Sequence, residues 1–65
     1  MRDINRIEPF LTEVGKVWKE NCSDWRFGQF LSNTLPSMVA KHGDMFFWEE
    51  KDFLNYLQEF FEKKD

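Results

Sequence analysis

The sequence contains almost nothing with which to build a cross-link. Of its 65 residues, one is a cysteine, Cys22, and one is a histidine, His42. A single cysteine excludes an intramolecular disulfide, and the lack of a second Cys or His at ligand spacing excludes the common zinc sites. A lone cysteine is typical of a reducing compartment. We therefore expect a cytoplasmic protein without a cofactor or a structural metal.

Long apolar runs and clusters of basic residues are also missing. No stretch approaches the ~20 apolar residues of a membrane span, and the N-terminus lacks the apolar region of a signal peptide. The net charge is −3, and the pI is near 5.0. Binding to nucleic acid or to an anionic membrane depends on clustered Lys and Arg, so this composition disfavours both.

Aromatic side chains are abundant instead, with eight Phe, three Trp and one Tyr. A domain of this length buries only roughly 60% of the surface of its unfolded chain, so it needs large buried side chains or self-association to be stable. Each aromatic side chain buries about 150–250 Å². We expect a single helical domain over residues 1–65, with most of its aromatic residues in the core.

Three segments with helical periodicity predict an all-α fold, a small three-helix domain. The first helix is predicted from about residue 6 to residue 20, with Asn5 as the N-cap in a capping box with Glu8. Gly15 lies beside its apolar stripe, which the close approach of another helix would explain. The stripe consists of Ile7, Phe10, Leu11, Val14, Val17 and Trp18.

The second helix is predicted to begin after Asp24 as its N-cap. Pro36 is expected to end this helix near Thr34 or to kink it, with 36–41 as a separate turn. Residues 41–44 read as a loop whose glycine suits a left-handed C-cap. The predicted buried face consists of Phe27, Phe30, Leu31, Thr34, Leu35 and Met38.

Residues 45–48 form a short apolar run, which we interpret as an extended segment laid over the helices. The third helix is predicted from about Glu49 to Lys63, with acidic residues in its first turn and basic residues at its end, as the helix dipole favours. Its predicted buried face consists of Phe53, Tyr56, Leu57, Phe60 and Phe61, with Leu54 at the edge.

No catalytic constellation is visible. Cys22 lies in a polar connector beside Asp24, whose carboxylate would raise the pKa of the thiol rather than lower it. A pair of Cys22 with His42 is geometrically open, but nucleophilic catalysis requires more positioned groups than these two. We interpret the cysteine as incidental and the histidine as a loop residue, and we expect no enzymatic activity.

One helical face of the second helix carries Arg26, Gln29 and Asn33, roughly opposite the apolar stripe. It has three interpretations: a solvated face, a protein-recognition face bordered by Trp25, or a face that reads base edges in the major groove through Arg and Gln. The acidic balance of the chain counts against the third.

The run of Phe46, Phe47 and Trp48 has two interpretations. An aromatic run in so short a chain closes a small core. Alternation along an extended segment nevertheless sends at least one of these side chains outward, where it would anchor an interface with a partner or with a second copy of the chain.

The order of several short motifs resembles a family of short bacterial and phage proteins of unknown function. The family pattern has R-I-x-x-I-L, then I-W, then P-D-L-R-[LF]-G-Q-[LF]-[LI]-x-N, then D-x-F-[FY]-x-E-[DE] before a last helix. The matching pieces are RIEPFL at 6–11, VW at 17–18, DWRFGQFLSN at 24–33 and DMFFWEE at 44–50. Ser23, Trp25 and Met45 depart from the pattern. The resemblance implies a helical architecture and a bacterial or phage setting, and it implies no catalytic residue.

These observations favour a non-enzymatic protein-interaction module of bacterial or phage origin, which binds an unidentified protein or a second copy of itself. The alternative is a small nucleic-acid-binding regulator that uses Arg26, Gln29 and Asn33. The candidate partner-binding residues are Trp25, Arg26, Gln29, Asn33, Phe47 and Trp48.

Overall fold

The computed structural model describes residues 2–62, and the chain is all-α over this range, as predicted, with no strand. Short 3₁₀ turns precede the first and the third of its helices. In chain order, the elements are a 3₁₀ turn at Ile4–Arg6, helix α1 at Ile7–Cys22, helix α2 at Phe27–His42, a second 3₁₀ turn at Met45–Phe47 and helix α3 at Glu50–Phe61. The predicted end of the third helix at Lys63 lies outside the described residues.

Helix α3 packs against both other helices. It runs parallel to α1: the ring of Phe10, early in α1, meets Phe53 edge-on at 5.6 Å. Trp25, just beyond the end of α1, meets Phe61, the last residue of α3, at 6.3 Å between ring centroids. The first 3₁₀ turn therefore lies beside the start of α3.

The core is centred on Phe30, which is fully buried. Its ring stacks on Trp18 at 5.5 Å and on Phe61 at 6.2 Å, so this one side chain joins all three helices. The hydroxyl of Thr34 is buried and donates to the Phe30 carbonyl at 2.8 Å. The buried residues are Val17, Phe30, Thr34, Met38 and Leu57.

The predicted start of the first helix is wrong in its detail. Asp3, rather than Asn5, is the cap: its Oδ1 accepts from the Asn5 N–H at 3.0 Å and organises the 3₁₀ turn. Helix α1 then begins at Ile7, so no capping box forms between Asn5 and Glu8. The expected close approach at Gly15 is also wrong, because no neighbouring atom lies within 4 Å of the position that a Cβ would take there.

Part of the predicted core is exposed. Ile7 and Leu11 lie on the apolar stripe of α1, yet both are exposed. Helix α2 covers this side of α1 only near its C-terminal end, where Trp18 contacts Phe27 and Phe30. Phe27 itself is about half exposed, although its spacing placed it on the buried face.

The second helix begins later than predicted. The Trp25 N–H donates to the Cys22 carbonyl at 3.0 Å, which draws Asp24 into a tight turn and removes it from the N-cap position. Arg26 has extended backbone angles and is the N-cap instead. Its N–H donates to the side-chain oxygen of Gln29 at 2.9 Å, which is the reverse bond of a capping box.

Pro36 does not end α2, which continues to His42, and 36–41 do not form a separate turn. Proline removes the hydrogen bond to the carbonyl four residues earlier, here that of Ser32. Ser32 and Pro36 are both exposed, so the lost bond lies on the solvent side, where it costs least. The buried Met38 on the other side holds the helix in place. Gly43 ends α2 at φ +90°, in agreement with the predicted glycine cap.

The aromatic run before α3 is not extended. Asp44 caps a 3₁₀ turn over 45–47 by accepting from the Phe46 N–H at 3.0 Å. Periodicity does not distinguish a 3₁₀ turn from an extended segment over so few residues. Glu49 is the N-cap of α3, and its N–H donates to Asp52 Oδ2 at 3.2 Å.

Candidate functional site

Trp25 is part of the packing between the helices. Its side chain is half-buried against Phe61, and its carbonyl accepts a hydrogen bond from Trp18 Nε1 at 3.0 Å. These contacts tie the connector between α1 and α2 to the end of α3. Trp25 thus borders the predicted α2 face while most of its contacts hold the fold.

Arg26, Gln29 and Asn33 are exposed along one side of α2, as their spacing predicted. The side-chain oxygen of Gln29 is engaged in capping the helix. Within α2, Lys41 is the one residue of fixed positive charge, and it donates to Glu59 at 3.0 Å. Arg26, at the start of the helix, is therefore the one positive charge that this face presents to the phosphates of a nucleic acid.

The structure separates Phe47 from Trp48. Trp48 is half-buried, and its ring meets Tyr56 edge-on at 4.9 Å and Phe53 at 6.0 Å in the first two turns of α3. Its Nε1 is buried and has no hydrogen-bond partner among residues 2–62. Phe47 is 75% exposed and its neighbour Phe46 is 82% exposed. The outward aromatic residue that the sequence suggested is therefore a pair, and Trp48 belongs to the core.

We group these two rings with the other exposed apolar side chains at the same end of the domain and call the group the apolar end. The 3₁₀ turn over 45–47 projects Met45 and the Phe46–Phe47 pair, whose rings meet edge-on at 5.0 Å. On the N-terminal side, Ile4 is 75% exposed and Leu11 is 57% exposed. The apolar end consists of Ile4, Ile7, Leu11, Met45, Phe46 and Phe47.

Two ion pairs hold the two halves of the apolar end at the same end of the domain. Arg2 donates through both terminal nitrogens to the carboxylate of Glu49, and Arg6 Nε donates to Glu50 at 3.2 Å. The pKa of Glu49 is held below its ordinary value by the hydrogen bond from Arg2 and by the charge of Arg2. These pairs fix the first 3₁₀ turn to the start of α3, directly after the Phe46–Phe47 pair.

An open groove of about 610 Å³ runs along the N-terminal half of the apolar end. Its walls come from the first 3₁₀ turn and the first turns of α1, and half of the lining residues are apolar and half are polar. The lining residues are Ile4, Asn5, Ile7, Glu8, Pro9 and Thr12. Periodicity alone could not find this surface, because Ile7 and Leu11 have core spacing and only the position of α2 leaves them uncovered.

A second cluster joins the end of α2 to α3. The His42 ring stacks on Tyr56 with centroids 3.6 Å apart, and its Nε2 lies 2.8 Å from Glu59 Oε1. Lys41 reaches the other oxygen of the same carboxylate at 3.0 Å. The hydrogen bonds from His42 and from Lys41 lower the pKa of Glu59. Lys41 and His42 are helical, in contrast to the predicted loop. The sequence pattern did not reveal this cluster, because the second helix was expected to end earlier.

This cluster borders a cavity of about 280 Å³ between α2 and α3. Both oxygens of Glu59 are already bound, one by each basic side chain. The arrangement acts as a clasp between the two helices. The lining residues are Ser37, Met38, Lys41, His42, Tyr56, Glu59 and Phe60.

Cys22 is half-buried against the core, and burial raises the pKa of its thiol. A raised thiol pKa keeps the sulfur protonated, which is the opposite of what a nucleophile needs. Among residues 2–62, no group of three His, Cys, Asp or Glu side chains is placed to hold a metal ion. None of the three described helices has the length and apolar character to cross a bilayer.

Comparison with family models, with curated proteins and with solved structures gives no match for this chain.

Proposed function

We propose that this protein is a non-enzymatic interaction module that binds another protein through the apolar end. The observation that carries the proposal is the exposure of six large apolar side chains at one end of a domain this small. Exposed apolar side chains that are grouped rather than scattered singly mark interaction sites in soluble proteins. The bacterial or phage setting and the cytoplasmic location rest on the resemblance and on the single cysteine, and they belong to the proposal.

The Phe46–Phe47 pair supplies the main anchor. At about 150–250 Å² for a whole aromatic side chain, the exposed parts of the two rings amount to roughly 240–400 Å². Covering that area is worth about 6–10 kcal/mol before the cost of association, at ~25 cal/mol per Å². Because a capped turn already orders the backbone that carries both rings, little further backbone entropy is lost when a partner covers them.

The proposal moves the binding surface away from most of the residues that the sequence suggested. Phe47 stays in it. Trp25 and Trp48 leave it because their rings pack in the domain, and Gln29 because its side chain caps α2. Arg26 and Asn33, on the same face of α2, serve as the control positions for mutation.

The test compares two double variants, Phe46→Ser with Phe47→Ser, and Arg26→Ala with Asn33→Ala. Each is used in chemical crosslinking with an extract of the cell that produces the protein. We expect both to keep the thermal unfolding temperature of the wild type within about 3 °C, and only the Phe variant to lose its crosslinked partner. Partner loss in the Arg26 variant with retention in the Phe variant would overturn the proposal, as would a large fall in the unfolding temperature of the Phe variant.

A further inference from the structure

The whole net charge of the chain lies beside the apolar end. Residues 2–10 and 44–52, which carry five of its six side chains and adjoin the sixth, contain six acidic and three basic residues, a net charge of −3. The rest of the chain has six residues of each sign and is balanced. The exposed apolar surface and the excess of negative charge therefore coincide.

Two of the three basic residues of this end are already bound to carboxylates. Arg2 and Arg6 are bound to Glu49 and Glu50, so their charges are compensated within the domain. Lys51, an exposed residue of the first turn of α3, is the third of them. Of the four other acidic residues of this end, Asp3, Glu8 and Asp44 are exposed and Asp52 is half-buried.

Two of the excess carboxylates directly precede the two 3₁₀ turns. Asp3 caps the turn that presents Ile4, and Asp44 caps the turn that presents Met45 and the two Phe rings. Each uses Oδ1 for a backbone N–H at 3.0 Å, and both residues are exposed. Glu8 adds a third carboxylate in the groove. One carboxylate therefore lies in the lining of the groove itself, and two lie at the starts of the turns that carry exposed apolar side chains.

We propose that the occupant of the apolar end is a basic amphipathic helix of another protein. Two-fold self-association through this surface would bring two ends of charge −3 together, which disfavours a second copy. Ile4, Ile7 and Leu11 follow one another at spacings of three and four residues, which gives the elongated apolar strip that a helix fills with anchors at i, i+3, i+4 and i+7. Lys and Arg beside those anchors would face the exposed carboxylates of this end, of which Glu8 lies in the lining of the groove. The inference rests on the proposed function and names the chemistry of its partner.

The test uses three synthetic peptides of equal length and the intact protein, with binding followed by fluorescence anisotropy. The first peptide is an amphipathic helix with Leu anchors flanked by Lys, the second replaces each Lys by Glu, and the third is a scrambled form of the first. We expect the first to bind, the other two to bind at least about tenfold more weakly, and the affinity of the first to fall several-fold between 20 and 300 mM salt.

Variants connect this binding to the residues. The double variant Phe46→Ala with Phe47→Ala should lower the affinity for the first peptide by about thirtyfold or more, as expected for two anchor residues. The double variant Asp3→Asn with Asp44→Asn keeps both caps, because asparagine also caps. It should lower the affinity for the first peptide about three- to tenfold and make that affinity less dependent on salt. The Arg26→Ala variant should bind like the wild type.

Equal binding of the scrambled peptide would overturn the inference in favour of simple charge attraction, and equal binding of the Glu peptide would overturn the role of charge. No binding of the first peptide at millimolar concentration would also overturn it. Self-association that light scattering detects, and that the Phe variant abolishes, would assign the surface to a second copy instead. In the first three cases the proposed function keeps its own crosslinking test, so the two can fail separately.

Discussion

Truncation of Phe30 to alanine should leave the domain largely unfolded at 25 °C. The side chain is fully buried between Trp18 and Phe61, and within residues 2–62 no other side chain stacks on aromatic rings from both α1 and α3. Its removal takes away the buried area of the ring and opens a cavity that three helices would have to fill. The cost of such a Phe→Ala change is about 3–5 kcal/mol.

That cost is as large as the whole stability expected for the domain. A single core in a chain below about 70 residues rarely supplies more than about 3–5 kcal/mol. The matched control is Phe27→Ala, one turn earlier on α2, where the ring is about half exposed and the cost should be about 1 kcal/mol. A milder variant, Phe30→Leu, should cost about 1–2 kcal/mol and keep the fold.

Urea unfolding and thermal unfolding, both followed by circular dichroism at 222 nm, measure all three variants. We expect no cooperative transition for Phe30→Ala, and a fall in the thermal midpoint of about 4–8 °C for each kcal/mol lost in the other two. A cooperative Phe30→Ala variant less than about 1.5 kcal/mol below the wild type would refute the placement of this residue at the centre of the core.

Three further predictions follow from individual residues. Gly15→Ala should stabilise α1 by about 0.5–1 kcal/mol because nothing blocks a Cβ there, whereas Gly43→Ala should destabilise the domain because φ is +90°. In thermal unfolding, Trp18→Phe should cost more than Trp48→Phe, because the first indole donates a hydrogen bond at 3.0 Å and the second has no partner among residues 2–62. The lowered pKa of Glu59 means that its stabilising contribution is present above its ordinary pKa of 4.5 and is lost as the pH falls through the lower folded-state value. The difference in urea midpoint between wild type and Glu59→Gln should therefore be largest near pH 6 and shrink toward pH 3.

Each of these has a result that would contradict it. A destabilised Gly15→Ala variant would mean that another helix does approach α1. Equal losses for the two tryptophan variants would mean that the bond from Trp18 contributes nothing. A difference for Glu59→Gln that stays constant from pH 6 to pH 3 would show that the carboxylate is not engaged with the basic side chains at the end of α2.

Periodicity predicted the existence of the three helices and most of the core, because apolar spacing depends on the chain alone. Phe30, Leu57 and Met38 lie on the predicted stripes and are buried. Whether a stripe is covered over its whole length depends instead on where the neighbouring helix goes. For this reason Ile7 and Leu11 are exposed, although they have the same spacing as core residues.

Local rules failed where a longer-range contact outweighed them. Pro36 was expected to end or to kink α2, but the helix does not end there, because the missing hydrogen bond faces solvent while Met38 packs in the core beyond it. The aspartates at 3 and 44 each organise a turn of three residues, which is too short to show a period. Because these turns present Ile4 and the Phe46–Phe47 pair, the candidate surface was the part of the molecule that sequence patterns described least well.

We propose that a partner binds the apolar end rather than the Arg26 face of α2. The most direct measurement is a titration of the ¹⁵N-labelled protein with the basic amphipathic peptide, followed by amide chemical shifts. The largest changes should fall on residues 4–11 and 44–48, with the amides of 26–33 nearly unmoved. Changes concentrated in 26–33, with the amides of 44–48 unaffected, would contradict the claim.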